Sequence, residues 1–357
     1  MSFKKRRKKN NIDRRISAVH PILVNKIFLS VLLFTLQFTA GAQPFHLPTA
    51  NQALFEKGGE ERFFVPTPGK PWTSGCFGCV RSGGWQMHEG LDIKCLQRDR
   101  HGEPTDPVMA TDDGTVMYMN DKPSLSNYGR YIVVRHIVDG VEVYSLYAHL
   151  SAFVPGLRPG QAVKTGEKIA VMGRTSNTRS GISKERAHVH FELNLFYNDH
   201  FSAWYRKHYP RERDDHGIWN GQNLVGFDPR LIFLAEHEEG SNFNLVNWLR
   251  HRTEICRVQV RKADFSWPRR YPMLVNNSAS VPAREIAGYE MALDFNGLPF
   301  ELIPRTASQM KGSAKYELIS VNEAEYAKNP CRRLVTRRGS HWQLATDGIN
   351  LLDLITY

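Results

Sequence analysis

Only five cysteines occur in the 357 residues, and one pair alone, Cys76 and Cys79, has C-x-x-C spacing. Without a second such pair, a four-cysteine zinc site within one chain is excluded. The chain is also not a small disulfide scaffold, although five cysteines fit an oxidising compartment. Trp72, Phe77, Val80, Gly83 and Gly84 around the pair suggest strand and turn, so a structural role is expected rather than thioredoxin-like redox chemistry. Cys256 and Cys331 lie together in the C-terminal part and are natural partners; if they pair, two of Cys76, Cys79 and Cys95 can pair and one stays free, so the full pairing is left open. Positive charge is less widespread than the formal +11 implies. Residues 1–42 hold nine basic residues against Asp13, which leaves +3 for residues 43–357, so nucleic-acid binding is given little weight. No internal repeat and no low-complexity tract follow that leader.

The leader itself joins a basic stretch to an uncharged apolar run, Ile27 to Ala42. Its end, Ala40-Gly41-Ala42, fits the small-x-small rule for signal cleavage, giving a mature start near Gln43. The alternative is an uncleaved anchor, the chain's single expected contact with a membrane. The run is short of the about 20 apolar residues that a spanning helix needs. Either reading puts the rest of the chain outside the cytoplasm, in the periplasm, the cell envelope or the medium.

Residues 43–64 read as a linker or pro-segment. From 65 to 235 the pattern is of short strands punctuated by turns, with no convincing long helix. RYIVVRHIV and VEVYSLYAHL flank Asp139-Gly140, a strong hairpin signal. LRPGQAV, KTGEKIAVMG and HVHFELNLF continue the series. The expected fold class is mostly β, an antiparallel sheet or sandwich. The charged stretch AEHEEGSN sets a boundary near 236–242. Residues 243–357 then read as a second, smaller β-rich domain, whose tail SHWQLATDGINLLDLITY is apolar enough to end inside a core.

Four histidines and one aspartate carry the chemistry: His88 and Asp92 in MHEGLDI, His149 in LYAHLS, and His188 with His190 in AHVHFEL. Residues two apart on a strand point to one face, so His188 and His190 project together while Val189 and Phe191 pack on the other side. Two imidazoles on one buried face need a polar partner or a metal. His88 and Asp92, four apart with Gly90 between them, can aim a nitrogen and a carboxylate at one point. Three such ligands leave a fourth zinc position for water, whose pKa the metal lowers while it polarises a carbonyl. Two further histidines are then available for general base and general acid work.

These islands resemble the lysostaphin-type (LytM-like) zinc metallopeptidases, whose pattern is H-x-x-x-D, then Y-x-H-L, then H-x-H. The matching segments are HEGLD (88–92), YAHL (147–150) and HVH (188–190). PTPGKPWTSGCFGCVRSG and VPGLRPGQAVKTGEKIAVMG resemble flanking pieces, so the likeness spans roughly residues 65–235. The resemblance implies the duplicated hybrid motif fold, with a groove over the sheet. It implies one zinc held by His88, Asp92 and His190, with His149 and His188 as the catalytic pair. The implied activity is cleavage of peptide cross-links in peptidoglycan by zinc-activated water. Cys76 and Cys79 interrupt the usual lead into the first motif. The loop at 174–188, which flanks the groove in the family, is longer and more charged than usual. Some relatives are inactive activators of other wall hydrolases and usually lack zinc ligands; all five positions are intact here. A non-enzymatic wall-binding or hydrolase-activating module remains the alternative, and a glycan-binding C-terminal domain a third.

Other residues take plainer expectations. His136 is read as a strand histidine near the groove and Tyr147 as packing or orienting a substrate oxygen. Glu192 is read as facing away from the histidines. The basic stretches RHRTEICR and PCRRLVTRRGSHW are read as solvated faces.

Overall fold

The computed structural model describes residues 45–357; the leader and its expected cleavage site lie outside the described residues. No helix among the described residues is long and apolar enough to cross a membrane. The strands are β1 (Gly78–Arg81), β2 (Gln86–His88), β3 (Leu91–Lys94), β4 (Pro107–Met109), β5 (Gly114–Asn120), β6 (Tyr131–Val138), β7 (Val141–Ala148), β8 (Ala152–Phe153) and β9 (Ala162–Val163). There follow β10 (Lys168–Val171), β11 (His188–Phe196), β12 (Leu224–Phe227), β13 (Cys256–Val260), β14 (Gly288–Leu293), β15 (Pro299–Arg305), β16 (Tyr316–Val321), β17 (Val335–Arg338) and β18 (His341–Leu344). The principal sheet runs β12-β11-β7-β6-β5-β9, with β3 also paired to β11. All of its pairings are antiparallel, as the mostly-β reading expects.

Local sequence explains the joints. β6 and β7 close on Asp139-Gly140, with Val138 opposite Val141. Both turn residues have positive φ, 51° and 78°, as a two-residue hairpin turn matching the strand twist requires. Gly90, between β2 and β3, lies so close to β11 that a Cβ there would sit 2.3 Å from the Phe191 carbonyl oxygen. That glycine lets the His88–Asp92 turn press against the strand carrying His190.

The stretch read as a boundary is helical. Asp228 caps helix Pro229–Glu239 by accepting from the Arg230 N–H, Pro229 takes the first turn, and Gly240 ends it at φ 57°. Residues 45–64 contribute Phe45, Leu47, Leu54, Phe63 and Phe64 to the core. The C-terminal region has its own four-stranded sheet, β15-β14-β13-β16, and a β17-β18 hairpin. Its Val258, Trp267, Met291 and Leu302 nevertheless belong to the same apolar cluster as Val189 and Phe191, and residues 45–357 fall within one compact unit. The apolar tail forms helix Thr346–Ile355, which buries Leu352, Leu354 and Ile355.

Cys256 and Cys331, natural partners by their place in the chain, do not pair. Cys331 is bonded to Cys79, with Cα atoms 5.4 Å apart across 252 residues, and Cys76, Cys95 and Cys256 are free and buried. Strand parity gives the reason. Cys256 shares a face of β13 with Val258 and Val260 and points into the core, where burial pushes its thiol up to about 12. Cys331 lies beyond the helix Glu323–Lys328, against β1.

Candidate metal and catalytic site

Strand β11 has two chemically different faces. Val189, Phe191, Leu193 and Leu195 are fully buried in the main apolar cluster, while His188, His190, Glu192 and Asn194 alternate with them on the other face. Register then completes the site, because Asp92 on β3 lies directly opposite His190. His88 ends β2. His149 follows β7 with φ 62°, an uncommon backbone for a non-glycine residue. Its amide donates to the Tyr128 carbonyl at 2.8 Å, which fixes that bend.

The side chains converge. His88 Nε2 and His190 Nδ1 each lie 3.1 Å from Asp92 Oδ1 and 3.2 Å from each other. The candidate ligand atoms of His88, Asp92 and His190 all fall within 4.8 Å of one another. His188 Nε2 is 3.4 Å from the same carboxylate oxygen, and its ring centroid is 4.8 Å from that of His149. Every site residue proposed from the sequence is therefore in one cluster.

Each imidazole is oriented from behind. His88 Nδ1–H donates to the Cys76 carbonyl at 2.7 Å, His149 Nδ1–H to the Thr175 carbonyl at 2.9 Å, and His188 Nδ1–H to the Arg186 carbonyl at 2.6 Å. His190 Nε2–H donates to Glu192 Oε1 at 2.8 Å. The other nitrogen of each ring is thereby left for a metal or a proton, the arrangement that orients a metal-binding or proton-transferring histidine. Two nitrogens and one carboxylate in this geometry fit a zinc ion with a position to spare.

Charge supports the fit. Burial alone would raise Asp92, but the charges of His188 and His88 and hydrogen bonds from His188 and His190 hold it well below the usual carboxylate range. Burial alone would lower His190, but hydrogen bonds to Asp92 and Glu192 prevail and push it up to about 10. A proton on His190 is thus favoured, and a metal held through Nδ1 would have to displace it. His149 moves the other way: burial, then repulsion from His188 and His190, lowers it well below 6.5 and keeps it a neutral base.

Two further side chains join the cluster, Glu192 and Arg81. Glu192 does not turn away: it is two residues from His190, so strand parity puts both on one face, and the expectation miscounted that period. Its Oε1 also accepts from Tyr128 Oη at 2.7 Å, and its Oε2 from Asn194 at 2.9 Å. Arg81 on β1 donates to Asp92 Oδ2 at 2.5 Å and lies 2.9 Å from His88 Nε2. Its place follows from the β1–β2 pairing, which no motif spacing announces. His136 does not line the groove. It is buried between Ser145 Oγ and the Asp113 carbonyl. Tyr147 is fully buried, and its hydroxyl accepts from the Thr111 amide.

The cluster lies in a groove of about 1680 Å³. One side is formed by the 174–188 loop through Ser176, Asn177 and Arg186, and another by the C-terminal region through Arg332, Asn350 and Leu354.

Comparison with known proteins agrees with this geometry. The peptidase family M23 profile matches residues 86–201. An "Uncharacterized metalloprotease" of Haemophilus influenzae is 35% identical over 108 residues, 30% of this chain and 18% of its own. The "Murein hydrolase activator NlpD" of Escherichia coli is 34% identical over 128 residues, 36% of this chain and 27% of its own. The chain thus spans well under a third of the length of these two relatives. The "Lipoprotein NlpD" of Yersinia enterocolitica is 35% identical over 95 residues, 27% of this chain but 84% of its own. Among solved structures, the catalytic domain of the antimicrobial peptidase lysostaphin from Staphylococcus simulans shares 25% identity, with 33% of this chain and 74% of that chain covered and a TM-score of 0.24. With the family profile matched across the histidine motifs and the Yersinia lipoprotein matched over most of its length, the chain belongs to peptidase family M23, the LytM- and lysostaphin-like family.

Proposed function

We propose that this protein is an exported zinc metalloendopeptidase that hydrolyses peptide bonds in peptidoglycan cross-links, with residues 65–235 as its catalytic part. The observation that carries the reading is the convergence of His88, Asp92 and His190 within 4.8 Å, beside the His149–His188 pair. His88 Nε2, an Asp92 oxygen and His190 Nδ1 would hold the zinc. When bound, that ion supplies Lewis acidity and lowers the pKa of water. His149, neutral at pH 7, takes or returns a proton at Nε2, and the His188 ring, with its centroid 4.8 Å from that of His149, shares that work or stabilises the oxyanion. Glu192 holds His190 in the ligating tautomer, and the Thr175 carbonyl aims His149. The groove binds and orients the peptide. The leader, as a signal peptide or an anchor, supplies the envelope address.

A second reading has its own support: relatives of this segment carry the name murein hydrolase activator. An activating module would use the same groove without chemistry. The two are separated by zinc content and peptidoglycan digestion for residues 43–357, beside the His149→Ala variant. About one zinc in both, with muropeptide release by the parent alone, supports the peptidase. Stoichiometric zinc without release, joined to stimulation of a separate wall hydrolase, overturns it in favour of the activator.

A further inference from the structure

The groove wall built by the C-terminal region carries a guanidinium whose two outer nitrogens have no partner among the described residues. Arg332 follows Cys331, and the disulfide to Cys79 fixes it beside β1, where Gly78 pairs with His88. Arg332 Nε donates to Asn296 Oδ1 at 2.7 Å. Asn296 is 1% exposed and is itself held by donating to the Gly226 carbonyl at 2.7 Å. A guanidinium gripped at Nε is pre-oriented, and Nη1 and Nη2 remain as parallel donors matched to a carboxylate.

The groove's charges point the same way. Arg81 is paired with Asp92. Lys70, Arg186 and Arg332 line the groove with no carboxylate partner among the described residues, against Glu89 and Asp347 as unpaired acids. A zinc ion would add two further positive charges, so the groove favours an anionic occupant.

We propose that Arg332 is a specificity-determining residue that binds a free carboxylate of the peptide in the groove, so that the C-terminal region takes part in selecting acidic peptides. This rests on the peptidase reading above. The shared chemistry is a carboxylate, which a side chain or a peptide C-terminus can supply.

The test uses residues 43–357 carrying His149→Ala and loaded with zinc, so that peptide binds without being cut. Calorimetry compares a synthetic cross-linked stem peptide with two analogues, one amidated on its side-chain carboxyls and one on its C-terminal carboxyl. The expected result is that one analogue binds about tenfold to hundredfold more weakly than the free acid; which one it is identifies the carboxylate. Arg332→Gln should lose the same factor for the free acid and leave that analogue unchanged, with Arg332→Lys recovering part. An unchanged melting temperature and an intact Cys79–Cys331 bond keep the comparison valid. Equal affinity of the parent for acid and both amides overturns the proposal without any variant. So does an Arg332→Gln loss that is equal for acid and amide. Cleavage of these peptides by the His149 protein without acid–amide discrimination overturns this proposal alone. Failure to bind any of them removes the peptidase reading as well.

Discussion

Residues 86–201 and residues 243–357 stand in contrast. The first region holds every metal and catalytic candidate, and its chemistry is written in residue types at fixed spacing. The second carries no recognisable motif, yet it shares the core of the first and forms a wall of its groove. Metal ligation demands particular atoms at particular places, which leaves a pattern. A wall demands only shape and charge, which many sequences supply.

The contrast is broken most forcefully at the metal. His88→Ala and Asp92→Ala should each lose zinc and hydrolysis together while the C-terminal sheet stays folded. Metal analysis, digestion assays and circular dichroism check this; zinc retained at full stoichiometry in either variant would sink the ligand assignment. The next effect is on stability. Cys79→Ser should lower unfolding free energy by about 2–5 kcal/mol, because the cross-link joins segments 252 residues apart. Denaturant titration of parent and variant reads it, and zinc content should not change. If zinc is lost with the disulfide, the two regions are not separable in role.

A smaller effect sits at the junction. Glu236, in helix Pro229–Glu239, accepts from the Phe45 N–H at 2.7 Å, and burial pushes it up to about 8. Its folded pKa exceeds the unfolded value of 4.5, so its contribution is fully present below pH 4.5 and is lost as pH rises towards 8. Glu236→Gln keeps an acceptor for Phe45 and should raise stability at pH 8 by about 3 kcal/mol, with little change at pH 4.5. Equal gains at both values would show that titration is not the cause. The smallest expected effect is at Glu192. Glu192→Gln should lower zinc affinity or turnover by about tenfold to hundredfold, through a less basic and less firmly held His190. A competitive chelator titration measures it, and an unchanged affinity and turnover would reduce Glu192 to a packing role.

Much of the site was legible because β11 repeats with period two. His188 and His190 had to share a face, and Val189 and Phe191 had to pack opposite. Glu192 was legible by the same count and was missed by misapplying it. The Asp139-Gly140 hairpin was legible because few residues adopt two successive positive φ values. Those features follow from neighbours in the chain, and the sequence by itself determined them. The Cys79–Cys331 bond, the approach of Arg81 to Asp92 and the placing of Arg332 in the groove were decided only by tertiary structure. Each depends on which distant strands share an edge or a core. That choice is made by packing the whole chain, and no local period records it.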